Sequence, residues 1–163
     1  ADAIMTGLSC NSSLATVPLT LRCLERMGVS AQSARLAACV GTNLNNDGIT
    51  LYEAMAALFL AHALGYDLPI SKQIVIVVAS IIAGAGVAGI PEAGMIVLPL
   101  VLAAAGLPDQ VILAAIPLIM TVDWIIARAR SGVNVMSDML VAILLDVGKT
   151  APGTECHAEA ERL

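Results

Sequence analysis

"TVDWIIARARSGVNVMSD", residues Thr121–Asp138, places two aspartates, two arginines, a tryptophan and an asparagine in one helix-length segment. The chain around it is almost wholly aliphatic: of 163 residues, 58% are hydrophobic, 2% aromatic and 13% charged, with a mean hydropathy of +0.88. Soluble domains carry roughly 25% charged residues, so this is a membrane composition. Ionisable groups at membrane depth cost roughly 2.5–3.5 kcal/mol each on insertion scales, and they face a cavity, a partner or an ion. At about 100° per residue, Asp123, Ala127, Arg130, Asn134 and Asp138 fall at roughly 0°, 40°, −20°, 20° and 60° on a helical wheel, which is one face. Arg128, at roughly 140°, lies off that stripe and suits snorkelling or a separate pairing.

Working outward, the chain holds four apolar stretches, and none reads as an ordinary single span. A spanning helix wants about 20 uninterrupted apolar residues. Ile4–Met27 is interrupted by "SCNSSLATVP", Leu36–Tyr66 by "NLNNDG" (Asn43–Gly48), and Ile74–Ala105 by "GAGVAGIPEAG" (Gly84–Gly94). Val111–Leu145 carries the charged stripe. The expected fold is therefore an all-α membrane protein with two re-entrant helical hairpins and two broken transmembrane helices, a hairpin-plus-helix unit occurring twice (residues 1–66 and 70–148). Backbone freed by such breaks cannot face lipid, because an unpaired N–H or C=O there costs several kcal/mol. It lines a cavity or coordinates something.

The net charge of −5 owes much to Glu155, Glu159 and Glu161 in the tail "KTAPGTECHAEAERL", which is expected to be a polar, disordered end over residues 149–163. No basic patch exists for nucleic acid. The cysteines (Cys10, Cys23, Cys39, Cys156) are scattered, without a CxxC pair or a histidine cluster, so neither zinc nor a disulfide framework is indicated. The opening "ADAIMTGLSCNSS" has neither a starting Met nor a basic region, and reads as part of a longer protein.

Several motifs, in order, resemble one family, the dicarboxylate/amino acid:cation symporters or glutamate transporters. They are the serine-rich tip followed by "ATVP" (Ala15–Pro18), "NNDGITLYE" (Asn45–Glu53) where the family reads close to NMDGT, "GVAGIPEAG" (Gly86–Gly94), and "DWIIARARSGVNVMSD". The resemblance covers nearly the whole chain apart from the tail. It implies the core of a transport domain: hairpin 1 (1–28), broken helix 7 (34–66), hairpin 2 (70–106) and helix 8 (109–148). It also implies a homotrimer built through scaffold helices not in this chain, an elevator motion against that scaffold, and a multi-pass location in the cell (inner) membrane.

The same resemblance carries over the family's sodium sites. Gly41, Asn45 and Asn134 match backbone-carbonyl ligands of one sodium ion, and Asp138 its carboxylate ligand. Asp47 matches the carboxylate of a neighbouring site. A third site uses carbonyls near Asn43 and near Gly84, Ala85 and Val87. Hard cations take oxygen ligands, and unwound backbone with a carboxylate provides them. Proton-coupled dicarboxylate members tend to have Asn at the position of Asp138, so Asp points to sodium.

At the substrate site the chain departs from the family. Amino acid carriers have an aspartate at the position of Ala127, which pairs with the substrate ammonium, and a threonine at that of Ile49. Arg130 remains, matching the arginine that grips a side-chain carboxylate in a fork that Lys does not reproduce. Ser13, Gly89 and Asn134 match the rest of the pocket. The expected substrate is a small carboxylate without an α-amine, such as a C4-dicarboxylate, carried with sodium; an amino acid recognised through another amine acceptor is the alternative. Glu53 stands where animal carriers of acidic amino acids have a glutamate resembling a proton carrier. An interior glutamate paired with a polar neighbour explains it equally well.

Other readings weigh less. "NLNNDGITLYEA" mimics an EF-hand loop but has Ala54 where the closing Glu belongs. The sequon at Asn11 lies in a tip that glycosylation does not reach, and His62 is expected to be a satisfied interior or interface residue. "GAGVAG" could be mere close packing, although Pro91 and Glu92 directly after it favour a break. An intramembrane aspartyl enzyme would need two of Asp47, Asp123 and Asp138 to face each other across a water. GxSxG and HExxH are both missing. A purely structural or channel-like module leaves the matched polar positions unexplained.

Overall fold

The computed structural model of the chain describes residues 1–87 and 94–150, and every element among them is helical. Helix α1 (Asp2–Cys10) stops at Asn11, whose backbone is left-handed (φ 53°, ψ 35°), a conformation that Asn tolerates better than most residues. Ser12 then caps α2 (Ser13–Arg26), its Oγ accepting the Ala15 N–H at 3.2 Å. The serine-rich interruption is thus a two-residue turn between helices of 9 and 14 residues, roughly 14 and 21 Å long at 1.5 Å per residue. Each is shorter than the ~30 Å of a bilayer core.

Helix α3 (Ala31–Arg35) runs directly into a π-helical stretch (Leu36–Gly41) and a last turn, α4 (Thr42–Leu44). The backbone leaves helical geometry at Asn45 and Asn46 and resumes as α5 (Asp47–Ala63), so the break falls inside "NLNNDG". Helices α6 (Ile70–Gly86) and α7 (Gly94–Ala104) follow. Gly89, Pro91 and Glu92 between them, and residues 151–163 with Cys156, lie outside the described residues.

The expectation of two broken long helices is corrected at the last element. Helix α8 (Asp109–Thr150) runs unbroken for 42 residues. Its polar residues are spread along a stripe instead of clustered in sequence, so each is accommodated by facing side chains and the backbone ladder continues. Pro117 removes at most one bond of that ladder. Asp109–Lys149 is the one helix among the described residues long and apolar enough to cross a membrane. Lys149, expected in the tail, belongs to this helix, and its Nζ donates to Gln32 Oε1 at 3.0 Å.

Helix α8 is the shared spine. One apolar cluster packs α5, α6 and α7 onto its first part, through Leu60, Ile76, Leu98, Leu102, Ala115 and Ile119. A second packs α1, α2, α3 and the π-helical stretch onto its later part, through Ala3, Leu24, Ala34, Ala38, Val135, Met139 and Ala142. Alanine is common in both, and small residues let helices approach closely. Between Ile119 and Val135 the interior turns polar: Asp123, Arg130 and Asn134 of α8 are buried, as are Asn46 and Glu53. The exterior is apolar, with Ile70, Ile74, Val78 and Ile82 on α6 and Leu113, Trp124, Met136 and Leu144 on α8 all exposed. An apolar outside around a polar interior layer suits lipid as solvent.

Candidate functional site

All five residues of the helical stripe are buried, and Arg128 is exposed. Arg128 turns back to its own helix, its Nη1 donating to the Trp124 carbonyl at 3.3 Å with the guanidinium 5.9 Å from the Trp124 ring centre. The stripe faces the break between α4 and α5 because Gly48, one residue into α5, lets the two backbones touch. A Cβ there would lie 2.5 Å from the Arg130 carbonyl oxygen and 3.0 Å from Asn134 Oδ1. Gly48→Ala is therefore expected to force α5 off α8 and lower the melting temperature of the purified protein. Overpacking of this kind costs about 1–3 kcal/mol; an unchanged melt would refute the close approach.

Arg130 is the centre of the layer. Its Nη2 donates to both carboxylate oxygens of Asp123, at 3.1 and 3.3 Å. Asp123 is two helical turns earlier, so the arginine stem runs back along α8 over position 127, the direction helix side chains favour. Ala127, 2% exposed, has no bulk to obstruct it. The guanidinium stacks on the Tyr52 ring, 4.2 Å from its centre. Its Nη1 lies 3.7 Å from Glu53 Oε1, an ionic contact too long for a hydrogen bond. Nη1 and both Glu53 oxygens are buried without a hydrogen-bond partner among the described residues. The start of α7 closes the space, since a Cβ on Gly94 would collide with Arg130 Nη1. One edge of the guanidinium fork is thus spent on Asp123, and the other has only the ionic contact to Glu53, with no hydrogen bond among the described residues. Glu53 is fully buried beside this arginine.

A second nook lies further along α8. Asp138, 2% exposed, accepts from Thr42 Oγ1 at 2.9 Å and from Asn45 Nδ2 at 3.2 Å. Gly41 packs directly on it, where a Cβ would sit 3.2 Å from Oδ1. Asp138 has no ion-pair partner among the described residues, and a buried carboxylate without a cation is costly. Carboxylate, hydroxyl and loosened backbone form an oxygen-rich setting suited to a hard cation. Asp47, exposed, accepts a hydrogen bond from Ser137, whose Oγ also receives Asn45 Nδ2 at 3.0 Å.

At the α4–α5 break, Asn46 reaches across to α6. Its Nδ2 lies 2.9 Å from the Gly84 carbonyl, 2.8 Å from that of Val87 and 3.3 Å from that of Asn43. Its Oδ1 accepts from Asn134 Nδ2 at 3.2 Å, and Asn134 Oδ1 accepts the Gly48 N–H at 2.8 Å.

Gly41, Asn45, Asn134 and Asp138 are thus drawn to one stretch of α8, with Asp47 alongside, and the Gly84 and Val87 carbonyls meet that of Asn43 through Asn46. Ile49 is buried on α5, and Ser13 is buried at the start of α2. The turn before Ser13 is tied to α8 by a 3.3 Å bond between Ser131 Oγ and Asn11 Oδ1. Ala85 has an exposed side chain. His62, expected to be a satisfied interior or interface residue, is exposed on α5, its Nδ1 2.7 Å from the Leu58 carbonyl. Asp47, Asp123 and Asp138 each engage a different partner, an arrangement unlike a facing carboxylate pair. Four contributors have no role assigned from the sequence: Thr42, Asn46, Tyr52 and Asp123. Asn46 carries a signal nonetheless, since it replaces the second letter of NMDGT.

Residues 1–147 match the family model described as the sodium:dicarboxylate symporter family. Excitatory amino acid transporter 3 of Mus musculus is 41% identical over 139 residues, 85% of this chain and 26% of the relative. Excitatory amino acid transporter 4 of Mus musculus is 39% identical over 146 residues, 89% of this chain and 25% of the relative. Excitatory amino acid transporter 1 of Homo sapiens is 39% identical over 146 residues, with 89% and 26% covered. The chain spans about a quarter of the length of these curated relatives.

Proposed function

This chain belongs to the sodium:dicarboxylate symporter family, and from that premise we propose that it is the core of the transport domain of a sodium-coupled carrier in a cell membrane. In this reading α1–α2 and α6–α7 are the two re-entrant hairpins. The domain slides as an elevator against scaffold helices contributed elsewhere in a homotrimer. Asp138, with the carbonyls of Gly41, Asn45 and Asn134, holds one sodium ion, and Asp47 serves a second.

The cargo is a small carboxylate, and the observation that carries this is the buried Nη1 edge of Arg130, which has no hydrogen bond among the described residues. A buried guanidinium edge without a hydrogen bond wants an acceptor, and a carboxylate fits its fork. A C4-dicarboxylate is favoured because the buried, apolar side chains of Ala127 and Ile49 offer an ammonium nothing to pair with. The relatives named as amino acid transporters support a second reading, an acidic amino acid whose amine finds another acceptor. Of the acids in this layer, Asp123 is hydrogen-bonded to Arg130, whereas the Glu53 oxygens have no hydrogen bond among the described residues, which makes Glu53 the candidate.

The test is uptake by the full-length carrier in liposomes, using labelled succinate and labelled L-aspartate with and without an inward sodium gradient. Sodium-driven succinate uptake exceeding that of aspartate is expected. Preference for aspartate would overturn the dicarboxylate reading and keep the carrier; uptake of neither would overturn both.

A further inference from the structure

We propose that the side-chain amide of Asn46 occupies the third cation position, so that this carrier holds the end of α6 against the α4–α5 break with a tethered N–H donor in place of a sodium ion. The inference rests on the transport reading above and deepens it, because it reduces the number of coupled sodium ions by one. The expected ligands of that position are main-chain carbonyls near Asn43, Gly84, Ala85 and Val87. Three of them, those of Asn43, Gly84 and Val87, converge on Asn46 Nδ2 at 2.8–3.3 Å.

Which end of the amide faces these carbonyls follows from groups whose roles are unambiguous. The Gly48 N–H only donates, so the atom of Asn134 that it meets is Oδ1. Asn134 therefore turns Nδ2 to Asn46, which answers with Oδ1 and has Nδ2 left for the carbonyls. Those carbonyls only accept, so the chain of bonds is consistent from end to end. An amide nitrogen has two hydrogens, which accounts for two short contacts and one longer one.

A nitrogen at hydrogen-bond distance from three carbonyls leaves no position among them for an ion that needs the same oxygens at closer range. Asn46 is 2% exposed, so an ion entering there would have to turn out a buried amide and leave its N–H groups unsatisfied. A methionine, the residue at this place in the NMDGT pattern, has no donor to offer and would leave the carbonyls open to a cation.

Two measurements on the purified full-length carrier test this. The first is hydrogen exchange of the α6 amides Ile81–Val87 in sodium and in choline, without substrate. Wild-type protection there should respond to sodium no more than that of the α5 amides Ala56–Ala61, which report the proposed sodium sites on α8, whereas in Asn46→Met the α6 end should gain about tenfold or more beyond them, the scale of one buried hydrogen bond. The second is the slope of log Kd for the transported carboxylate against log sodium concentration, which should be one unit steeper in Asn46→Met. A wild-type α6 end that gains tenfold protection from sodium beyond the α5 amides overturns the proposal, as does a slope equal to the variant's. If the variant does not fold, the wild-type exchange comparison decides. Failure of sodium-driven uptake counts against the transport reading alone, because the exchange experiment needs no uptake.

Discussion

Arg130→Ala in the full-length carrier is expected to abolish carboxylate uptake and to lower its melting temperature sharply. The loss has two separable parts. Asp123 and Glu53 are both buried, and Arg130 is the cation that both of them face. Removing one partner of a buried ion pair costs about 3–5 kcal/mol, because the other charge is left uncompensated. Adding Glu53→Gln to Arg130→Ala should recover part of the melting loss, since one of the two stranded carboxylates is then neutral, while uptake stays absent. Arg130→Lys separates folding from recognition. It keeps a positive charge near Asp123 but lacks the planar fork, so Asp123 and substrate cannot be held on two edges at once. Its melt should lie close to wild type while carboxylate affinity, by calorimetry, falls about tenfold to 100-fold, the range of a lost charge-assisted hydrogen bond. An Arg130→Lys carrier with wild-type affinity would remove Arg130 from the substrate site.

The charged stripe was legible in the sequence because helical period is a local property: Asp123, Ala127, Arg130, Asn134 and Asp138 recur at helix spacing and all five are buried. The break at "NLNNDG" was legible for a similar reason, since consecutive polar side chains compete for the backbone at one place. The same logic misled at α8. Its polar residues are as numerous but are spaced along one face, so they find partners on other helices or at helical spacing on α8 itself, and the ladder survives. The roles of Thr42 and Tyr52 depend on contacts across 96 residues to Asp138 and between α5 and α8 to Arg130, and no local pattern marks them. Asn46 is intermediate. Its departure from NMDGT was visible, but its meaning required knowing that Gly84 and Val87 end within reach of its amide.

On the dicarboxylate reading proposed above, Ala127→Asp is expected to reverse preference from succinate to L-aspartate. Position 127 lies on the stripe between Asp123 and Arg130, and the arginine stem passes over it to reach Asp123. A carboxylate placed there has two opposing effects on the two substrates. It supplies a buried acceptor for an ammonium, and a hydrogen bond to a charged group contributes about 1.5–3 kcal/mol, roughly tenfold to 150-fold in affinity for the amine-bearing substrate. It also crowds the Arg130 stem and offers the guanidinium a nearer partner at i−3, which draws charge away from the Nη1 edge and weakens succinate. Both effects move the aspartate-to-succinate ratio in the same direction, so the ratio is the quantity to measure, from competition uptake with each substrate labelled in turn. Ala127→Asn is the control: it crowds the stem without adding a charge, so it should weaken succinate and gain little for aspartate. Without substrate the Ala127→Asp carrier should melt below wild type, because the introduced carboxylate is then buried without a cation of its own, and L-aspartate should raise that melt more than succinate does. A ratio unchanged from wild type would mean that residue 127 does not border the amine position, and the preference for a dicarboxylate would then lose its physical basis.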